Sequence, residues 1–128
     1  MYNYVFVYGT LKRGYGNSYL LDDSDFVQEA MTSPEYTMRS LGGFPGVQLN
    51  GNTPIHGEVW RVNKKTMDRL DQLEGYPRFY DRKQIDLRGC NYMPWMYFLP
   101  EQEYLTYPVI EDGVWRGYAH HANENHSQ

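Results

Sequence analysis

The sequence has little with which to cross-link the chain or to carry it into a membrane. Its 128 residues include a single cysteine, Cys90, so an internal disulfide is excluded. No apolar run is long enough for the core of a signal peptide or for a membrane span of about 20 residues. We therefore expect a protein of the reducing cytoplasm with no membrane partner, in which Cys90 is an ordinary thiol.

Positive charge is also scarce. The chain has 12 lysines and arginines against 16 aspartates and glutamates, a net charge of −4 at pH 7 and a pI near 5.5. Nucleic-acid binding draws its affinity from clustered basic side chains, so this composition argues against it. A small-molecule partner fits better. The length predicts one domain, residues 1–116, followed by an irregular tail, residues 117–128, and we expect a monomer.

The order of apolar and turn residues predicts an α+β fold with one main helix. Asn63 is a suitable N-cap for that helix, and Gly75 indicates that it ends at Glu74. Strands are predicted over residues 4–8, 26–31, 36–41, 47–49, 55–62, 80–87 and 93–99, with a short helix at 18–21 and turns at 42–46, 51–54 and 88–91.

A glycine-rich loop follows the first predicted strand. Gly9 and Gly14 have the spacing that begins a phosphate-binding P-loop, but the Lys-Ser/Thr that should follow is replaced by Tyr15-Gly16. The dinucleotide fingerprint fails as well, because its third glycine is missing. What remains is a strand running into Gly9-Thr10-Leu11, where backbone N–H groups can converge on an anion. The alternative is a plain strand-ending turn.

Glu74 is the most informative acid because of its place in the last turn of the predicted helix. The negative end of the helix dipole disfavours an ionised carboxylate, so the pKa of Glu74 should be raised, which suits a group that takes and returns a proton. The alternative is a solvated glutamate paired with Arg78 or Arg82. Asp71 and Glu74 also form a weak candidate for a glycosidase carboxylate pair.

Histidines offer the weakest candidate chemistry. His120, His121 and His126 lie in the predicted tail with no cysteine or acid at a ligand spacing, and His56 in a strand is typical of a structural histidine. We expect neither a metal nor another cofactor.

Three blocks of sequence occur in a recognisable order. They are Tyr4-Val5-Phe6-Val7-Tyr8-Gly9-Thr10-Leu11-Lys12-Arg13-Gly14 with Asn17, then Gly57-Glu58-Val59-Trp60, then Leu70-Asp71-Gln72-Leu73-Glu74-Gly75 with Tyr80-Asp81-Arg82. Together they resemble the γ-glutamylcyclotransferase-like family, especially its γ-glutamylamine cyclotransferase branch, over about residues 4–115.

The resemblance implies a fold and a reaction. The fold is a small α+β domain whose mostly antiparallel sheet curls into a barrel-like shape around a polar cavity. Tyr8, Gly9, Thr10 and Leu11 would bind the carboxylate end of the substrate through backbone N–H groups, and Glu74 would be the acid/base. A γ-glutamyl amide would be converted to 5-oxoproline and a free amine, with no protein nucleophile.

The sequence also suggests two more residues of the pocket and two alternative functions. On composition and position alone, Tyr97 and Tyr118 are added as aromatic residues of the pocket. A non-catalytic module that binds a small carboxylate is the alternative function, and a protein-interaction domain with exposed tyrosines is a more distant one. Retention of Glu74 favours the enzyme, because a carboxylate binder gains nothing from another acid in its pocket.

Overall fold

A computed structural model describes residues 2–117, which form two sheets and one main helix. The elements are β1 (Tyr2–Val7), a 3-10 helix (Ser18–Leu21), β2 (Asp25–Met31), β3 (Tyr36–Ser40), β4 (Pro45–Thr53), β5 (His56–Asn63), α1 (Lys64–Glu74), β6 (Asp81–Gln84) and β7 (Trp95–Phe98). Five strands form one sheet in the order β2-β5-β1-β7-β6, and β3 pairs with β4 in a second sheet.

Strand β1 lies at the centre of the larger sheet. It runs antiparallel to β5 along its whole length and parallel to β7, where Val5 is opposite Trp95. Successive side chains of β1 enter different cores: Phe6 belongs to one buried cluster with Trp115, and Val5 belongs to another with Leu70. Every other strand pair is antiparallel, so the predicted mostly antiparallel α+β fold is confirmed.

The helix α1 begins and ends where local sequence predicts. The Asn63 side-chain oxygen accepts a hydrogen bond from the Thr66 N–H at 2.8 Å. At the other end Gly75 has φ 65°, and the N–H groups of Gly75 and Tyr76 donate to the carbonyls of Gln72 and Asp71. Glu74 is therefore held as the last helical residue.

Strand β4 differs from its prediction. Residues 51–54 are predicted as a turn, but the strand continues to Thr53, which pairs with Tyr36 across an irregularity in β3. Gly51 permits this, because a Cβ there would clash with the Tyr36 carbonyl. Strands β6 and β7 are shorter than predicted, although the N–H of Ile85 still donates to the Pro94 carbonyl at 2.9 Å.

The start of β4 packs directly on the loop that follows β1. A Cβ on Gly9 would lie 2.7 Å from both Cγ and Cδ of Pro45, so the two backbones approach more closely than a side chain at position 9 permits. The second sheet also connects to the first where the Leu99 N–H donates to the Val47 carbonyl at 2.8 Å. These contacts bring the ends of β1, β4 and β7 together.

Two further expectations concern the C-terminal tail and membrane-spanning helices. The predicted irregular tail, residues 117–128, lies outside the described residues apart from Gly117. Within residues 2–117, no helix has the length and apolarity that crossing a membrane requires.

The contact between Gly9 and Pro45 predicts an asymmetry between two glycines of one loop. We expect Gly9→Ala to lower the free energy of unfolding by about 1–3 kcal/mol, because the methyl group must displace Pro45. Gly16→Ala is the matched control, since a Cβ there meets no atom within 4 Å, and it should change stability by less than about 0.5 kcal/mol. Urea unfolding of both variants measures the difference, and equal losses would contradict the packing argument.

Candidate active site

A cavity of about 270 Å³ opens where the ends of β1, β4 and α1 meet. This volume is at the small end for ligand sites and suits a metabolite rather than a macromolecule. The residues that line it come from six stretches of the chain: Phe6, Val7, Tyr8, Gly9, Thr10, Leu11, Asn17, Gly43, Phe44, Pro45, Leu73, Glu74, Phe79, Tyr80 and Tyr97.

The structure brings together nearly all of the site residues expected from sequence. Tyr8, Gly9, Thr10, Leu11, Glu74 and Tyr97 all line this cavity. Tyr118 lies outside the described residues. The glycine-rich loop and the end of the helix therefore line one cavity, although Leu11 and Glu74 are more than 60 residues apart in the sequence.

The loop after β1 is shaped by its own hydrogen bonds. Asn17 donates from its side chain to Thr10 Oγ1 and from its backbone to the Thr10 carbonyl, both at 2.9 Å. Tyr8 donates its hydroxyl to the Tyr97 carbonyl at 2.8 Å. Within residues 2–117, by contrast, the N–H groups of Thr10 and Leu11 donate to no protein acceptor. Thr10 and Leu11 are both part of the cavity lining.

A buried carboxylate fixes the far side of the same loop. Glu58 on β5 accepts hydrogen bonds from the Arg13 N–H at 3.1 Å, the Arg13 side chain at 3.2 Å and the Trp60 indole at 3.1 Å. Lys12 donates to the Trp115 carbonyl at 2.8 Å. The loop is thus tied to the sheet behind it, which holds Thr10 and Leu11 against the cavity.

Glu74 is the titratable group of the site whose pKa lies near neutrality. Burial raises its pKa to about 7, because a carboxylate loses solvation there. The direction agrees with the sequence expectation, but the cause is burial rather than the helix dipole. The charge of Glu74 in turn helps to raise the pKa values of Tyr8, Tyr80 and Tyr97, for which burial is the larger cause.

The arginines predicted as alternative partners of Glu74 are not bound to it. Arg82 lies 3.4 Å from Asp71 and stacks between the rings of Tyr76 and Trp95. No salt bridge joins Glu74 to an arginine in the described part of the chain. Asp71 accepts the Tyr97 hydroxyl at 2.7 Å and does not line the cavity, so the two acids of this turn occupy different environments.

Sequence reasoning did not assign several wall residues to the site. Tyr80 donates its hydroxyl to the Pro45 carbonyl at 2.6 Å and closes one wall, while Phe44 and Phe79 form another. Tyr80 could have been found from the sequence, because it begins the block Tyr80-Asp81-Arg82 that follows the end of the helix. Phe44 and Phe79 stand beside glycine and proline turns, where a pattern gives no indication of a cavity.

Metal ligands are not grouped in the described part of the chain. Within residues 2–117, no three His, Cys, Asp or Glu side chains lie where they could hold a metal ion. His120, His121 and His126 lie outside the described residues.

Comparison with known proteins gives the family. The family described as "Gamma-glutamyl cyclotransferase, AIG2-like" matches residues 5–117. A Vibrio cholerae protein with the provisional name γ-glutamylcyclotransferase is 36% identical over 115 residues, 90% of this chain and 96% of that one. The γ-L-glutamyl-butirosin B γ-glutamyl cyclotransferase of Niallia circulans is 28% identical over 109 residues, 79% of this chain and 69% of that enzyme.

Solved structures agree with this assignment. The solution structure of Escherichia coli YtfP is 32% identical, has a TM-score of 0.68, and matches 88% of this chain and 95% of that one. An AIG2-like protein of Mus musculus shares the fold at 23% identity, with a TM-score of 0.73 and 87% of both chains covered. The chain belongs to the γ-glutamylcyclotransferase family, as the three sequence blocks indicated.

The raised pKa of Glu74 couples folding to pH. The folded carboxyl has a pKa of about 7 against an ordinary value of 4.5, so the folded state binds this proton more tightly and wild type loses stability as pH rises between these two values. Glu74→Gln does not titrate. Its free energy of unfolding relative to wild type should therefore rise by about 1–3 kcal/mol from pH 4 to pH 8. Chemical denaturation at both pH values measures this, and a constant difference would refute the raised pKa.

Proposed function

We propose that this protein is a γ-glutamyl cyclotransferase that converts a γ-glutamyl amine or γ-glutamyl amino acid to 5-oxoproline and a free amine. The observation that carries the proposal is that Glu74, with a pKa of about 7, lines the same cavity as Thr10 and Leu11, whose N–H groups have no acceptor within residues 2–117. A proton acceptor and an anion cradle within one small cavity are the two elements that the reaction needs.

The loop supplies the binding half of the proposal. The N–H groups of Thr10 and Leu11 would donate to the α-carboxylate of the γ-glutamyl group, which places that group in the buried end of the cavity. Glu58 and Asn17 hold the loop in this shape before the substrate arrives, so little ordering remains to be done on binding.

Glu74 supplies the proton transfers. The substrate α-ammonium gives one proton to the Glu74 carboxylate, and the resulting amine attacks the γ-carbonyl carbon to form a carbon–nitrogen bond within a five-membered ring. The tetrahedral intermediate then collapses: the bond to the leaving nitrogen breaks, Glu74 returns its proton to that nitrogen, and the second proton of the ring nitrogen also passes to the departing amine, which leaves as an ammonium. Nucleophile and carbonyl belong to one molecule, so holding the folded substrate gives a large proximity advantage.

The tyrosines of the cavity form walls that do not compete for the proton. Burial raises the pKa values of Tyr8, Tyr80 and Tyr97 well above their usual range, so all three stay neutral near pH 7. Their hydroxyls already donate to the Tyr97 carbonyl, the Pro45 carbonyl and Asp71. Glu74 is thus the one charged group among the described residues that line the cavity.

The non-catalytic carboxylate-binding module is the competing function. The presence of Glu74 beside the loop weakens this alternative, because a protein that only binds a carboxylate gains nothing from another acid in its pocket. The named activity of the Niallia circulans relative also supports the cyclotransferase reaction for this chain.

Removal of the acid should abolish turnover. Wild type incubated with γ-glutamyl amines and γ-glutamyl dipeptides is expected to release 5-oxoproline, measured by mass spectrometry, and Glu74→Gln should be at least about 100-fold slower because the proton carrier is lost. Asp68→Asn is the matched control, since Asp68 is an exposed acid of the same helix, 3.2 Å from Lys64. Circular dichroism checks that all three proteins are folded.

The outcomes separate the two functions. Equal turnover by wild type and Glu74→Gln would remove Glu74 from the mechanism. If no substrate gives 5-oxoproline while glutamate or 5-oxoproline still raises the Tm of wild type, the binding module replaces the enzyme.

The pKa of Glu74 also predicts a pH profile. Only the carboxylate accepts the substrate proton, so kcat/KM should fall about tenfold for each pH unit below a value near 7. Initial rates between pH 5 and pH 8 with one γ-glutamyl amine measure this limb. A profile that is flat down to pH 5 would show that the base has an ordinary carboxyl pKa.

A further inference from the structure

The cavity has a buried end and an exposed end with different chemistry. Tyr8, Gly9 and Leu11 at the buried end are almost inaccessible to solvent. At the other end Phe44 is 37% exposed and Leu73 is 43% exposed, and Gly43 beside them is exposed as well. These residues mark the opening. If the proposed function holds and the γ-glutamyl group occupies the buried end, the leaving amine points to this opening.

The opening is walled by aromatic rings in fixed positions. Phe44 meets Phe79 edge to face with centroids 6.1 Å apart, and Phe79 meets Tyr80 at 4.9 Å and Tyr104 at 6.0 Å in the same manner. The Phe79 N–H also donates to the Gly75 carbonyl at 2.8 Å, directly after the helix. Phe44 and Phe79 therefore form an aromatic corner next to Glu74.

Positive charge is missing from the lining at this end. Among the described residues that line the cavity, the one charged side chain is Glu74. Arg82 is engaged by Asp71, and Arg39 donates to Gln48 and to the carbonyls of Leu105 and Tyr107. A carboxylate on the leaving group would lose solvation beside an acid and gain no partner in the lining, which is costly.

We propose that Phe44, Leu73 and Phe79 form a subsite for the leaving amine that favours apolar, and above all aromatic, amines and disfavours amines that carry a carboxylate. The subsite rests on the proposed function and narrows it to γ-glutamyl derivatives of apolar monoamines. The γ-glutamyl group is recognised at the loop, and the choice among leaving groups is made at the aromatic corner.

Matched substrates test the two parts of this proposal. γ-Glutamyl-phenethylamine and γ-glutamyl-phenylalanine differ by one carboxylate, and the first should have a kcat/KM at least about tenfold higher in wild type. γ-Glutamyl-methylamine lacks the ring and should also be poorer than γ-glutamyl-phenethylamine by about tenfold. Release of 5-oxoproline gives all three values with one assay.

Two variants test whether the preference for an aromatic leaving amine depends on Phe44. Phe44→Leu should reduce the ratio of kcat/KM for the phenethylamine over the methylamine derivative by about two- to tenfold, because an aromatic contact is lost. Phe26→Leu is the matched control: Phe26 is 38% exposed, lies on β2 outside the cavity lining and should leave the ratio unchanged. Phe44 is exposed, so its replacement is compatible with folding, which circular dichroism verifies.

Three results would overturn the subsite. One is turnover of γ-glutamyl-phenylalanine that equals or exceeds turnover of γ-glutamyl-phenethylamine. If Arg78→Gln then slowed γ-glutamyl-phenylalanine alone, the opening would be assigned to leaving groups that carry a carboxylate. Another is a ratio that Phe44→Leu and Phe26→Leu change alike. In both cases 5-oxoproline still forms, so the cyclotransferase reaction stands. The third is failure of wild type to release 5-oxoproline from these three substrates while another γ-glutamyl amine or dipeptide is turned over, which would overturn the subsite alone; failure with every substrate would overturn the proposed function as well.

Discussion

The geometry of the site depends on the position of Pro45. Its ring packs against the backbone of Gly9, its carbonyl accepts the Tyr80 hydroxyl at 2.6 Å, and it begins the strand that is bonded to the end of β7. One residue therefore sets the distance between the loop after β1 and the segment after α1. Because Gly9 has no side chain, the loop can come close enough for Thr10 and Leu11 to line one cavity with Glu74.

The environment of Glu74 shows how burial alone raises the pKa of a carboxyl group. The helix ends at Glu74 and is capped by Gly75, which leaves the Glu74 side chain beside tyrosines whose hydroxyls are already engaged elsewhere. Nothing in the lining compensates for the lost solvation, so the pKa moves toward neutrality. Arg82 would have cancelled this effect, but Asp71 and two aromatic rings hold it in another place. Asp71 thus holds Arg82 away from Glu74, and the pKa of Glu74 stays raised although the two acids are only three residues apart.

Local features of the sequence were sufficient to predict the helix and the succession of strands along the chain. Asn63 and Gly75 act through their own backbone neighbours, so their roles could be predicted from position alone. The turn predicted at residues 51–54 was wrong because β4 is extended by pairing between Thr53 and Tyr36, which no local pattern encodes. For the same reason Phe44, Phe79 and Tyr80 were not assigned to the site: their place in the wall results from contacts between distant segments. The three sequence blocks identified the loop and the acid but could not show that both face one cavity.

Part of the exposed wall of the cavity has a different origin from the buried wall. Gly43 and Phe44 belong to the connection between β3 and β4, whereas the groups proposed to act on the γ-glutamyl unit lie on β1, its loop and the end of α1. A connection at the surface tolerates substitution and changes of length far better than a packed strand does. Descendants of this chain could therefore acquire new leaving groups by altering a few residues of this connection while keeping the residues of the proposed cyclisation unchanged.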